Sequence, residues 1–241
     1  MDAQNYASWS GRYGLICRVL RPFCSAMHQL TTGCTSAHAE FNVSAEARII
    51  IQCWRALLCI IPYDDVQLTR TISSFRLAPA TIVAGFDASL GIIWFDLQEG
   101  TEVAMGIRTL STESLDLKND SSFENLSEFI AAIVTVLGFT WLGYKGKNLG
   151  LRGDSITALQ WAITERRRGS SVTRTAIVWT VLCVAADVHA TEITHVAGVD
   201  NKICDQLSRR CTTTEKSVGD EAKDLGLQNA RVLAFDSQYG V

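Results

Sequence analysis

Residues 195–209 read His-Val-Ala-Gly-Val-Asp-Asn-Lys-Ile-Cys-Asp-Gln-Leu-Ser-Arg. The stretch just before and into it, Glu192 to Val196, has strand character, and Asn201 to Arg209 reads as a helix. His195 therefore stands at a strand end. Asp205 falls inside the helix, on the side of Lys202 or Arg209 if that side meets water.

Working outward, Thr81 to Phe86 and Ile92 to Leu97 are short apolar, β-branched runs, and the segment from Asp87 to Gly91 between them is turn-like. Thr101 to Leu110 supplies a third strand. Glu124 to Leu137 reads as a helix stopped at Gly138, and Leu149 to Gly153 as a short strand. Asp154 stands where it can cap a helix running to about Arg167, and Val172 to Ala186 forms another helix. The order β-β-β-α-β-α-α-β-α indicates an α/β domain with a mixed sheet over residues 77–210. Residues 1–76 read as a mainly helical segment. Ser44 caps a helix from Ala45 to about Ile60, whose apolar face is Ile49, Ile50, Cys53, Trp54, Leu57 and Leu58. Residues 211–241 form a C-terminal tail, with a charged stretch suggesting a helix and then an apolar end.

Composition fits a globular protein: 47% of the 241 residues are hydrophobic and 20% charged, with 3 prolines and no repeat or low-complexity linker. The net charge of −3 disfavours a uniformly basic nucleic-acid binder, yet basic residues cluster locally. Arg166, Arg167, Arg168 and Arg174 form one group and Lys145, Lys147 and Arg152 another. Each suits either a phosphate backbone or a solvated helix end or loop. The eight cysteines include no C-x-x-C pair, and Met1 to Trp9 lacks the basic-then-apolar pattern of a secretion signal. Reduced, mostly buried thiols in an intracellular protein, nuclear or cytoplasmic, are expected. Cys24, His28, Cys34 and His38 repeat a C-x-x-x-H spacing that matches no common zinc finger. The apolar stretch Phe129 to Leu142 is shorter than the ~20 residues a membrane span needs, so no membrane partner is expected.

Four carboxylates fall at telling places. Asp87 directly follows an apolar strand, Glu128 sits in an otherwise apolar helix, Asp154 lies at a strand-to-helix switch, and Asp205 lies in the last helix. A charge such as that of Glu128 is costly in apolar surroundings unless paired or bound to a cation. Singly, each has an ordinary explanation as turn residue, polar-face glutamate, helix cap or solvated helix residue.

Together, Asp87-Ala88-Ser89, Glu128, Gly153-Asp154-Ser155 and the motif His195-x-x-Gly198-x-x-Asn201-x-x-Cys204-Asp205-x-Leu207-Ser208-Arg209 resemble the type 1 ribonuclease H family. Retroelement members commonly close with the same motif but with alanine where Cys204 stands. The resemblance covers about residues 80 to 210. It implies a ribonuclease H-like five-stranded mixed sheet flanked by helices, with four carboxylates converging at one end. Asp205 follows Asp154 by only 51 positions, which implies that the extra helix and basic handle of many cellular members are missing. More loosely, Arg21-Pro22-Phe23 and Ser44 to Arg48 leading to Trp54 resemble the connection between polymerase and ribonuclease H in DIRS-like retroelement reverse transcriptases. Tyr63-Asp64-Asp65 lacks the spacing of a polymerase signature and reads as a loop.

The family match implies endonucleolytic hydrolysis of the RNA strand of an RNA–DNA hybrid with two magnesium ions, manganese serving as a substitute. Such ions sit about 3.5–4 Å apart and prefer oxygen ligands. By the resemblance, Asp87 bridges the metals, Asp205 completes the site of the attacking water, and Glu128 and Asp154 complete the other. Four crowded carboxylates should show raised, coupled proton affinities without metal. His195 precedes Asp205 by ten positions, as the family's active-site histidine does, and suits proton shuttling or product release. Ser89, Asn125, Ser155 and Asn201 are candidate substrate contacts. His189 matches nothing in the family and is expected to be structural or exposed. Partners implied are the hybrid and the polymerase part of the same polyprotein. The alternative is an inactive or domesticated domain of this kind that binds nucleic acid or a polymerase without cutting. A transposase-type site ending in glutamate fits Asp205 poorly, and an exonuclease opening with Asp-x-Glu does not fit Asp87-Ala88-Ser89.

Overall fold

A computed structural model of the chain describes residues 45–60, 79–89, 92–99, 102–109, 121–163, 170–209 and 231–234, with isolated positions between 220 and 226. Cys24, His28, Cys34, His38, Tyr63 to Asp65 and Arg166 to Arg168 lie outside the described residues. The chain divides into two compact units, Met1–Leu77 with Glu165–Ala185 and Ala78–Thr164 with Ala186–Val241.

The first unit contains helix α1, Ala45–Ile60. Ile50 and Trp54 are buried and Cys53 is half-buried, an i, i+3, i+4 stripe, whereas Ile49, expected on that face, is 59% exposed.

The second unit holds the sheet. Its strands are β1 (Ile82–Ser89), β2 (Ile92–Glu99), β3 (Glu102–Thr109), β4 (Lys147–Gly153), β5 (Val188–His195) and β6 (Arg231–Ala234), in the order β5-β4-β1-β2-β3-β6. The sheet is mixed as expected: β1–β2 and β2–β3 are antiparallel, while β1–β4, β4–β5 and β3–β6 are parallel. It has six strands rather than five, because Arg231–Ala234, within the expected tail, adds to β3. A second difference lies in β1. Asp87, Ala88 and Ser89, expected in a turn, continue the strand and pair with Trp94, Ile93 and Ile92, so the backbone bonds of the hairpin carry Asp87 inside the ladder.

Helix α2, Ser121–Trp141, packs on β1, β2 and β3. Leu126, Phe129, Ala132, Val136 and Phe139 are buried at helical spacing and form much of the core. The helix runs past Gly138, the expected stop, and by length and composition could cross a membrane; here it is the core helix of an α/β unit. It ends at Gly143, whose φ of 85° only glycine adopts without strain. There the Tyr144 N–H donates to Phe139 O (3.2 Å) and the Gly143 N–H to Thr140 O (3.0 Å), a Schellman closure with the Phe139 and Tyr144 rings 5.1 Å apart. Helix α3, Ile156–Ile163, packs on α2 and β5, with the Phe129 and Trp161 rings edge-to-face. Helix α4, Ser170–Ala186, belongs to the first unit but for its last residue; α5, Lys202–Arg209, lies against β1 and β2 of the second.

Strand register is pinned at the start of the β1–β4 pairing by Thr81, whose N–H and hydroxyl both donate to Asn148 O while its Oγ1 accepts from the Asn148 N–H. Between Leu149↔Ala190 and Gly150↔Glu192 the β4–β5 register slips by one residue. This bulge at Thr191 brings His195, rather than Thr194, level with Gly153.

Candidate metal centre

Three elements of the second unit converge at the ends of β1 and β4. Asp87, 6% exposed, comes from β1; Glu128, 8% exposed, from the second turn of α2; and half-buried Asp154 directly follows β4. One carboxylate oxygen from each lies within 4.8 Å of the others. Glu128 Oε1 accepts the Ala88 N–H at 3.1 Å, tying α2 to the backbone beside Asp87. Glu128 Oε2 is buried with no hydrogen-bond partner.

That crowding appears in the proton affinities. Burial, reinforced by the charges of Asp87 and Asp154, pushes the Glu128 pKa up to about 9. Burial and then the Asp87 charge also raise Asp154, with a smaller push from Asp205 and relief from His195. The rise expected from crowding therefore occurs at these two carboxylates. Asp205 is half-buried on α5, outside the three-oxygen cluster but near enough for its charge to act on Asp154.

The donor set suits a hard divalent cation. Every available ligand atom is a carboxylate oxygen, and the orphaned Glu128 Oε2 faces a desolvation cost that a cation offsets.

The local sequence leaves Asp154 available. Asp154, expected to cap α3, does not do so. Ser155 is the cap: its Oγ accepts the Ala158 N–H at 3.2 Å, and its carbonyl takes the first helical bond from Leu159. Ser155 Oγ in turn donates to Asn125 Oδ1 at 3.0 Å, orienting the amide one turn before Glu128. Gly153 fits close packing here, since a Cβ would stand 3.1 Å from the Phe86 ring. These Ser155 bonds were within reach of the sequence, because serine caps helices as readily as aspartate.

The exposed His195 lies across from Asp154, its Nε2 3.0 Å from Asp154 O. A carbonyl only accepts, so Nε2 is the donor and Nδ1 the basic nitrogen. The strand-end backbone bond and the position beside the acidic cluster thus coexist. Asn201, expected to meet substrate, is 4% exposed and its Nδ2 donates to Phe86 O at 3.4 Å. Ser89 ends β1, and its side chain lies outside the described part of the structure. His189 is exposed, 3.7 Å from Asp187 and outside the cluster. Lys145 and Arg174 are exposed, and Lys147 and Arg152 half-buried on β4.

No protein-family model and no curated protein matches the chain. Among solved structures it is similar to ribonuclease H1 from the halophilic archaeon Halobacterium salinarum, with 20% identity, a TM-score of 0.39 and coverage of 52% of this chain and 92% of that one. It is also similar to an N-terminal ribonuclease H domain from Mycobacterium tuberculosis, a fusion with maltose binding protein, with 12% identity, a TM-score of 0.38 and coverage of 52% and 93%. A foamy viral protease–reverse transcriptase in complex with double-stranded DNA shares 12% identity at a TM-score of 0.31, over 74% of this chain and 30% of that one.

Proposed function

We propose that the chain hydrolyses the RNA strand of RNA–DNA hybrids, with Asp87, Glu128, Asp154 and Asp205 holding two magnesium ions or manganese in their place. The observation that carries this reading is the buried cluster of Asp87, Glu128 and Asp154 with its unpartnered Glu128 oxygen. The motif from His195 to Arg209 points the same way. When bound, such cations supply an activated water at neutral pH and charge stabilisation at the leaving oxygen.

The chain's own groups do the rest. With a pKa near 9, Glu128 holds its proton at neutral pH in the cation-free chain and releases it as ligands are recruited. The Ala88 N–H keeps Oε1 in place throughout. His195, fixed through Nε2 on Asp154 O, offers Nδ1 to accept or return a proton at the rim. Asn125, whose Oδ1 accepts from Ser155, and Ser89 are candidate contacts to phosphate or ribose oxygens. A contact to the 2′-hydroxyl is what selects the RNA strand. Lys145, Lys147 and Arg152 of the second unit are candidates to track the backbone. This reading places the chain with the polymerase part of a DIRS-like retroelement polyprotein, acting in the nucleus or cytoplasm.

The test is cleavage of an end-labelled RNA–DNA hybrid by the purified chain in magnesium. RNA-strand cutting that disappears with chelator and in Asp87→Asn supports the reading. A folded chain that cuts in neither magnesium nor manganese sinks it and favours a binding role.

A further inference from the structure

Asn201 is well placed for a role other than touching substrate. It occupies the N-cap of α5: its carbonyl accepts the Asp205 N–H at 2.9 Å, the first bond of the helix, and its own N–H donates to Ala197 O at 3.0 Å. Its side chain is directed into the protein, where Nδ2 donates to the Phe86 carbonyl. Phe86 directly precedes Asp87. Its ring is fully buried against Gly153, where an added Cβ would lie 3.1 Å from Cε2 and Cζ, and Gly153 directly precedes Asp154. One residue thus gauges three elements: its own strand carries Asp87, its ring sets the approach of β4 and Asp154, and its carbonyl receives the start of the helix that bears Asp205.

From this geometry we infer that Asn201 is a positioning residue, which fixes Asp205 relative to Asp87 and Asp154 by tethering α5 to the Phe86 carbonyl. The inference rests on the cation-dependent nuclease reading. The eight-residue helix also packs on β1 and β2 through buried Cys204, but Asp205 lies one turn beyond the tether, so a small slide or rotation at Asn201 displaces its carboxylate. An amide that is 4% exposed and directs one of its two N–H donors inward is poorly placed to meet a substrate.

The experiment uses the full chain as wild type, Asn201→Ser, Asn201→Asp, Asp205→Asn and the Asn201→Ser, Asp205→Asn double variant. Serine caps a helix as well as asparagine but is too short to reach Phe86 O, and aspartate keeps the shape while replacing the donor with an acceptor. Magnesium and manganese affinities are measured by calorimetry, folding by circular dichroism in chelator, and kcat and KM on a hybrid. Asn201→Ser should stay folded, bind cation roughly 10-fold or more weakly, and lose kcat at an unchanged KM. The double variant should be no worse than Asp205→Asn, since Asn201 acts through Asp205. If Asn201→Ser fails to fold, Asn201→Asp carries the same expectations. Wild-type-like affinity in a folded variant, a raised KM at unchanged kcat, or losses that add in the double variant would overturn the inference alone. A wild-type chain that takes up neither cation overturns the nuclease reading and this inference with it.

Discussion

The two ends of α2 obey opposite rules. Toward its C-terminus Phe139 is fully buried, the backbone bonds of Tyr144 and Gly143 close the last turn, and the Phe139 and Tyr144 rings meet beneath it. Apart from Gly138 within the helix and the exposed Trp141, local preference there agrees with the fold. Toward its N-terminus the same helix buries Glu128 among two other carboxylates and leaves Oε2 without a partner. A sequence built only for stability would place an apolar residue there. The contrast separates the part of the helix that supports the domain from the part that carries unfavourable electrostatics, which a cation would relieve under the proposed function.

The strongest way to break the supporting end is Phe139→Ala. It should cost about 3–5 kcal/mol, read as a lower denaturant midpoint, by lost burial and the cavity left under the sheet. Sharpening the other end calls for Glu128→Gln. Without cation this variant should be more stable than wild type by roughly 1–3 kcal/mol near neutral pH, because it removes a group held far from its ordinary ionisation. Magnesium should raise the wild-type Tm and leave that of Glu128→Gln nearly unmoved.

The pH dependence follows from the same group. The folded pKa of Glu128 is raised from 4.5 to about 9, so between those values the folded chain binds more protons at this site than the unfolded one. Its contribution to cation-free stability is greatest below 4.5 and falls as pH rises toward about 9, and Asp154 adds to the fall in the same direction. Denaturant midpoints in chelator that rise with pH across this window for wild type relative to Glu128→Gln would contradict it. The smallest effect is expected for Gly143→Ala. There is open space for the Cβ, but the positive φ costs about 1 kcal/mol, which is roughly 2–4 °C in Tm for a protein of this size.

Much of the candidate site could be read along the chain, less from any one local clue than from the order in which the clues follow one another. An apolar run before Asp87, a carboxylate inside an apolar helix, and a strand-to-helix switch at Asp154 are all visible in a few neighbouring residues. Gly138 does not stop α2, because a glycine is only an opportunity to end a helix. Gly138 sits where the core still rewards helical turns through Phe139, and only Gly143 takes up the left-handed backbone. The cap of α3 is undecided along the chain for a similar reason: two adjacent residues, Asp154 and Ser155, can both cap, and the bonds of Ser155 to Asn125 and Ala158 decide between them.

The sequence alone therefore determined the order of strands and helices as far as Arg209, since periodicity acts over a few positions, and it singled out the candidate acidic residues by the order of their motifs. Tertiary structure decided what distance decides. It brought Asp87, Glu128 and Asp154 within one cation's reach while Asp205 stayed just outside. It set His195 against Asp154 through a bulge at Thr191, added β6 to the sheet, and turned Asn201 inward to the Phe86 carbonyl. Strand register, bulges and long-range hydrogen bonds depend on partners 40 to 115 positions away, as the bonds of Glu128 and Asn201 illustrate. No local pattern encodes such partners.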